Sequence, residues 1–124
     1  MNILKLAFSL LISTSAFGQA KDLLKPDEFE NVIGKGNGII LDVRKPEEFK
    51  DGHIKGAINA NWQNLPEFTD KTAQLDKSKP VYIYCLAGVR SAKAADWLLK
   101  NGFKNVIGLD GGIKAWKDAG KALE

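Results

Sequence analysis

The chain has 124 residues, 44% of them apolar and 27% charged, enough for one compact domain with its own core and too few for two. Its 18 basic and 15 acidic side chains give a net charge of +3. They alternate along the chain instead of forming blocks, so nucleic acid is not the implied partner, while a small anionic substrate and a merely solvated surface both fit.

In chain order, the first segment is read apart from the fold. Lys5 followed by the apolar run from Leu6 to Ile12 has the form of a secretory signal peptide, and the run is far shorter than the ~20 residues that span a bilayer. Ala16 and Gly18 are small residues spaced as at a signal cleavage site, so residues 1–18 are expected to be removed before Gln19, with cleavage before Lys21 as second choice. The expected mature chain, at +2, is exported, periplasmic in a Gram-negative source, and free of any membrane anchor. No cysteine stands at or near the expected cleavage site, which argues against an acylated-cysteine lipoprotein.

Downstream, short apolar runs alternate with helical patterns. Asp22-Leu23-Leu24 is a candidate edge strand, and Pro26 to Ile33 opens as a helix with Pro at its first position and Asp27 and Glu28 at the positive end of its dipole. Ile39 to Val43 and Pro80 to Tyr84 read as strands buried on both faces. Ala57-Ile58-Asn59 is a weaker strand candidate and Asn105 to Leu109 a further one. A helix is expected from Val89 to Lys100, stopping at Asn101-Gly102, with Ala94, Trp97 and Leu98 on its apolar face. A last helix, near Ile113 to Asp118, ends at Gly120. Strands alternating with helices imply a parallel sheet covered on both faces.

Cys85 is the only cysteine, so no intramolecular disulfide is possible and an exported thiol is either inert or used. It directly follows the strongest strand, and Leu86-Ala87-Gly88 lead into the Val89 to Lys100 helix. That is where ligands bind in open α/β sheets. Free N–H groups and the positive helix end favour an anion there, and the thiolate is the nucleophile. Gly88 lets successive N–H groups turn inward, and Arg90 adds a cation able to hold an oxyanion. A cation in a first helical turn opposes the dipole, so Arg90 is expected to handle anions and not to stabilise the fold. A small, inert core cysteine fits the same position.

Three ordered motifs carry a resemblance to a known family. Cys85-Leu86-Ala87-Gly88-Val89-Arg90-Ser91 resembles the active-site loop of rhodanese-type sulfurtransferases. Leu41-Asp42-Val43-Arg44 with Glu47, Glu48 and Phe49, running into Gly52-His53-Ile54-Lys55-Gly56-Ala57-Ile58-Asn59, resembles a second signature, and Leu109 to Trp116 a third. The resemblance implies a rhodanese-like three-layer α/β/α domain over residues 22–121 with a five-stranded parallel sheet. It further implies that Cys85 takes a sulfane sulfur from a donor such as thiosulfate, becomes a persulfide and passes the sulfur to cyanide, a thiol or a thioredoxin-like protein, with no cofactor. Leu86, Ala87, Gly88, Val89, Arg90 and Ser91 would then bind substrate. Asp42 and Arg44, able to pair with each other or with the loop, would position without reacting.

Other polar residues have simpler roles. His53 is expected to shape a turn, Asp110-Gly111-Gly112 either the mouth of the site or the start of a helix, and Trp62, Trp97 and Trp116 the core and its rim. One His and one Cys give no metal-ligand spacing. A phosphatase is disfavoured, since four residues separate Cys85 from Arg90 where the phosphatase loop it resembles has five, and Tyr84 stands where that loop has His. A persulfide carrier without turnover, or a partner-binding module, remains open.

Overall fold

The computed structural model describes residues 22–124; the expected signal segment lies outside them. Five parallel strands form one sheet: β1 (Leu23–Leu24), β2 (Ile39–Asp42), β3 (Ile58–Asn59), β4 (Val81–Tyr84) and β5 (Val106–Leu109), in the order β1-β5-β4-β2-β3. Five helices connect or follow them: α1 (Pro26–Ile33), α2 (Pro46–Asp51), α3 (Leu65–Thr72), α4 (Val89–Lys100) and α5 (Gly112–Asp118). Among the described residues no helix is long and apolar enough to cross a membrane.

Strand alternation sorts the core into two layers. Tyr82 and Tyr84 of β4 face Phe29 of α1 and Ile113 and Trp116 of α5. Val81, Ile83 and, in the same phase, Cys85 face the other layer, built from Phe68 of α3 and Ala94 and Leu98 of α4. The tryptophans fill these layers: Trp116 is buried, while Trp62 and Trp97 each meet Phe68 in an edge-to-face pair, at 5.1 and 5.5 Å between ring centres.

The helices start where the chain gives them donors and acceptors. α1 and α2 each have Pro in their first turn, and Glu28 and Glu48 accept from the backbone N–H of Lys25 and Lys45. Asn64 caps α3 by accepting from the Glu67 N–H. α2 and α3 are additions to the elements expected from sequence.

The chain leaves β2 for one sheet edge and later leaves β4 for the other. The boundary between β2 and β4 is therefore the switch point of the sheet, where a crevice opens at the strands' carboxyl ends. Asp42 pairs in register with Tyr84, which sets the end of β2 beside the residue that precedes Cys85.

Candidate active site

Cys85 stands at the end of β4, 1% exposed. Gly88, at φ +118°, turns the chain into α4, and that turn aims two backbone donors at the sulfur. Gly88 N–H donates to Sγ at 3.1 Å and Ser91 N–H at 3.3 Å. The thiol in turn donates to Ser91 Oγ at 3.3 Å, and the Ser91 hydroxyl donates onward to the Gly88 carbonyl at 3.2 Å. Once the sulfur is anionic, the same hydroxyl is placed to rotate and become a third donor.

The loop is held in that shape from outside. The carbonyls of Cys85 and Leu86 point away from the sulfur and accept from Ile113 N–H at 2.9 Å and Lys114 N–H at 3.1 Å, donors that the first turn of α5 would otherwise leave unpaired. The approach is so close that a Cβ on Gly112 would stand 2.3 Å from the Leu86 carbonyl oxygen. Asp110-Gly111-Gly112 is thus both a helix start and the outer support of the loop.

Arg90 differs from its expected role in stability. Its guanidinium makes a two-pronged pair with Glu48 of α2, Nη1 to Oε1 at 2.7 Å and Nη2 to Oε2 at 3.1 Å. Glu48 Oε1 also accepts from Lys45 N–H at 3.1 Å. The Arg90 hydrogen bonds, against some burial, hold the Glu48 carboxyl down to about 2. Arg90 therefore ties α4 to α2, and the cation that opposes the helix dipole is compensated by a carboxylate from elsewhere in the chain.

Asp42 and Arg44 pair with each other and not with the loop. Both are buried, with Arg44 Nη2 2.6 Å from Asp42 Oδ2 and donating to the Gly52 carbonyl at 2.8 Å. Asn59 Nδ2 donates to the carbonyls of Asp42 and Arg44 at 3.0 and 2.9 Å, which fixes the end of β2. Burial pushes the Tyr84 phenol up, and its oxygen accepts from Ile54 N–H at 3.0 Å. His53 lies within 2.9 Å of the Phe49 carbonyl through Nδ1 and stacks on the Phe49 ring at 3.8 Å, a turn-shaping arrangement with no bond to Cys85.

The mouth of the site is apolar. Leu86 is 45% exposed and Val89 67%, and a groove of about 770 Å³ runs from Ala87 and Val89 between α4 and the β5–β1 edge, past Leu23, Ala95 and Leu99. One residue of consequence escaped the sequence-based assignment of roles: Glu48, visible only as an acid in the second motif, opens α2 and pairs with Arg90.

The fold is a parallel α/β domain in which a cysteine directly follows a central strand, its sulfur accepting from two backbone N–H groups at the start of the next helix. The chain belongs to the rhodanese-like domain family, whose sequence model matches residues 25–119. It is 35% identical over 102 residues to the tRNA uridine(34) hydroxylase of Pelagibacter ubique (strain HTCC1062), an alignment covering 82% of this chain and 34% of that protein. The chain spans about a third of the length of the curated relatives it matches. The solution structure of the rhodanese-like domain of the Alr3790 protein from Anabaena sp. is similar at 29% identity and a TM-score of 0.74, covering 84% of this chain and 79% of that one. A crystal structure of a rhodanese-like domain protein from Staphylococcus aureus is similar at 34% identity and a TM-score of 0.70, covering 83% and 96%.

Proposed function

We propose that this protein is a sulfurtransferase in which Cys85 carries a sulfane sulfur as a persulfide. The observation that carries the reading is the set of donors on one sulfur: the Gly88 and Ser91 N–H groups both donate to Sγ, and the Ser91 hydroxyl, which accepts from the thiol, stands where rotation makes it a third donor to an anionic sulfur. A thiolate and the terminal sulfur of a persulfide are both anions, so one set serves both states. In the first half-reaction the Cys85 thiolate attacks the sulfane sulfur of the donor, a new S–S bond forms, and the donor's own S–S bond breaks with its electron pair on the leaving group. In the second, an acceptor nucleophile such as cyanide, a thiol or a thioredoxin-like protein takes the outer sulfur and the thiolate returns. The cycle is redox-balanced and uses no cofactor.

In this scheme Gly112 positions the loop, and Asp42 and Arg44 fix the end of β2 beside it, without touching the reacting atoms. Export to an extracytoplasmic compartment is part of the proposal and is supported by Lys5, the apolar run after it and the small residues Ala16 and Gly18. Hydroxylation of a tRNA uridine is named for proteins of which this chain spans about a third, and it is not carried over.

The test is intact-mass spectrometry of the purified protein before and after incubation with a sulfane-sulfur donor, thiosulfate and an organic persulfide each being tried. Wild type should gain the mass of one sulfur, lost again on adding cyanide, and a folded Cys85→Ser variant should gain none. Gain of sulfur by the Cys85→Ser variant, or no gain by wild type from either donor, would overturn the proposal.

A further inference from the structure

We propose that the end of the sheet remote from Cys85 is a peripheral membrane-binding face, which holds the domain against an anionic phospholipid surface through a row of lysines and leaves the sulfur loop turned to the aqueous side. The inference stands apart from the reading of Cys85.

The first support is where the sequence puts its lysines. Each strand from β2 to β5 is led in by a lysine within the four residues before it: Lys35 before Ile39, Lys55 before Ile58, Lys79 before Val81 and Lys104 before Val106. All these strands are parallel, so the lead-ins gather at one end of the sheet and Cys85 stands at the other. Backbone bonds lace them together. Ile39 N–H donates to the Pro80 carbonyl at 2.9 Å, Val81 N–H to the Asn105 carbonyl at 2.9 Å and Lys104 N–H to the Lys77 carbonyl at 3.2 Å. The four strands are neighbours in the sheet, and a spacing of ~4.8 Å sets their lysines along about 14 Å.

The second support is that this charge is unpaired. Lys35, Lys55, Lys79 and Lys104 are exposed, and none forms an ion pair among the described residues. Lys77, in the same row, donates through Nζ to the Asn101 carbonyl at 2.8 Å. The acid among them, Asp76, accepts from the Ser78 N–H and hydroxyl at 2.9 and 2.6 Å. Other acids stand at the margins: Asp22 ahead of β1, and Asp51 and Glu124 next to the turn that carries Lys55. Helix dipoles attract cations to the last turn of a helix, but Lys55, Lys79 and Lys104 each stand four or more residues beyond the helix before them.

The form of the row indicates the partner. A small anion calls for donors that converge on it, as at Cys85, whereas lysines side by side match a plane of phosphate headgroups. A nucleic acid calls for arginines on base edges or rings stacked on bases as well. These lead-ins hold no arginine, Phe103 is buried, and His53 is stacked on Phe49. The chain also enters the fold at this end, through Asp22 into β1. With the apolar run from Leu6 to Ile12 in a bilayer, residues 13–21 would place the lysine row within at most about 30 Å of it.

The experiment is co-sedimentation at low salt with vesicles of phosphatidylcholine, alone or mixed in about equal parts with phosphatidylglycerol. Both the full chain and the chain from Gln19 are used. In the full chain the apolar run adds the same affinity to every variant, so the ratio between variants is read. The chain from Gln19 should bind the anionic vesicles at least tenfold more strongly than the neutral ones, and lose that binding near 1 M salt, where the screening length falls to ~3 Å. Each lysine near an anionic surface strengthens partition roughly fivefold. Replacing Lys35, Lys55, Lys79 and Lys104 together by Gln should therefore weaken binding roughly fiftyfold or more. Replacing Lys25, Lys93, Lys114 and Lys117 by Gln removes the same charge from the other end of the sheet and from α4 and α5, and should weaken it roughly fivefold at most. All eight positions are exposed, and thermal melts establish that both variants are folded. Should the first set fail to fold, Lys79→Gln with Lys104→Gln is read in its place, with a loss of roughly tenfold or more expected. Equal losses in the two sets, or wild-type binding that ignores phosphatidylglycerol, would overturn the proposal. So would tighter binding of a DNA duplex than of anionic vesicles, lost in the same lysine variant, since the face would then belong to nucleic acid.

Discussion

Gly112→Ala tests whether the first turn of α5 is what holds the sulfur loop in shape. Gly112 sits at φ +65°, where a residue with a Cβ pays a steric penalty of roughly 1–2 kcal/mol. The added methyl would also stand 2.3 Å from the Leu86 carbonyl oxygen and 2.7 Å from that of Cys85. Both are backbone atoms, so the loop and α5 must part. Parting them stretches the bonds from Ile113 N–H and Lys114 N–H to those carbonyls, each with a net worth of about 0.5–1.5 kcal/mol. Reduced freedom of the unfolded chain returns about 0.4–1 kcal/mol. The balance is a loss of about 3 kcal/mol, or roughly 12–24 °C in Tm for a domain of this size.

Gly120→Ala is the control. Gly120 has a similar φ of +77° with nothing within 4 Å of its added Cβ, so it carries the backbone penalty alone. The assays are thermal melts by circular dichroism and the rate of sulfur uptake by Cys85, read by intact mass. Gly112→Ala should melt well below Gly120→Ala, and at temperatures where both are folded it should load sulfur about a hundredfold more slowly, the cost of misplacing reacting groups by about 1 Å. Equal melting of the two variants, with sulfur uptake at the wild-type rate in Gly112→Ala, would refute the claim that α5 shapes the loop.

Three further outcomes are expected. Glu48 is held down to about 2, chiefly by its hydrogen bonds to Arg90; its folded-state value lies below its unfolded one, so the pair stabilises above pH ~4.5 and that share is lost as pH falls toward 2. Arg90→Ala should therefore lower Tm at pH 7 and match wild type near pH 2, and a Tm gap independent of pH would count against the pair. Tyr84→Phe leaves the buried Ile54 N–H without its acceptor and should cost about 1–3 kcal/mol in urea unfolding; an unchanged midpoint would show that another group satisfies it. Amino-terminal sequencing of protein from the native cell should begin at Gln19, and an intact Met1 in a cytoplasmic fraction would remove the export proposal.

The parts of the fold legible in the sequence are those whose burial leaves a local mark. Ile39 to Asp42, Val81 to Tyr84 and Val106 to Leu109 are covered on both faces, so they read as nearly continuous apolar runs and formed as strands. α4 showed itself because twelve residues give three turns over which Ala94 and Leu98 repeat on one face. α2 escaped for the opposite reason. Its six residues bury none of their number, and fewer than two turns cannot display a period. The signs it does carry, Pro46 and Glu48, concern its first turn only. α3, at eight residues, offers little more.

The same division runs through the site. Cys85, Gly88 and Ser91 lie within seven consecutive residues, so the bend of the loop and its inward donors follow from local geometry that a sequence displays. The Arg90 pair joins residues 42 positions apart, and no local pattern encodes it. It exists because β2 and β4 are neighbours in the sheet, which brings the helix after β2 against the helix after β4. Arg90 in isolation is a cation at the wrong end of a dipole, and that reasoning led to a free anion binder. Glu48 adds a structural role by using one oxygen for two tasks, accepting from the Lys45 N–H that opens α2 and from Arg90 on α4. The start of one helix is thereby locked to the start of the other. A change in how either helix begins is transmitted to the Arg90 side of the sulfur loop, while Gly112 holds the opposite side.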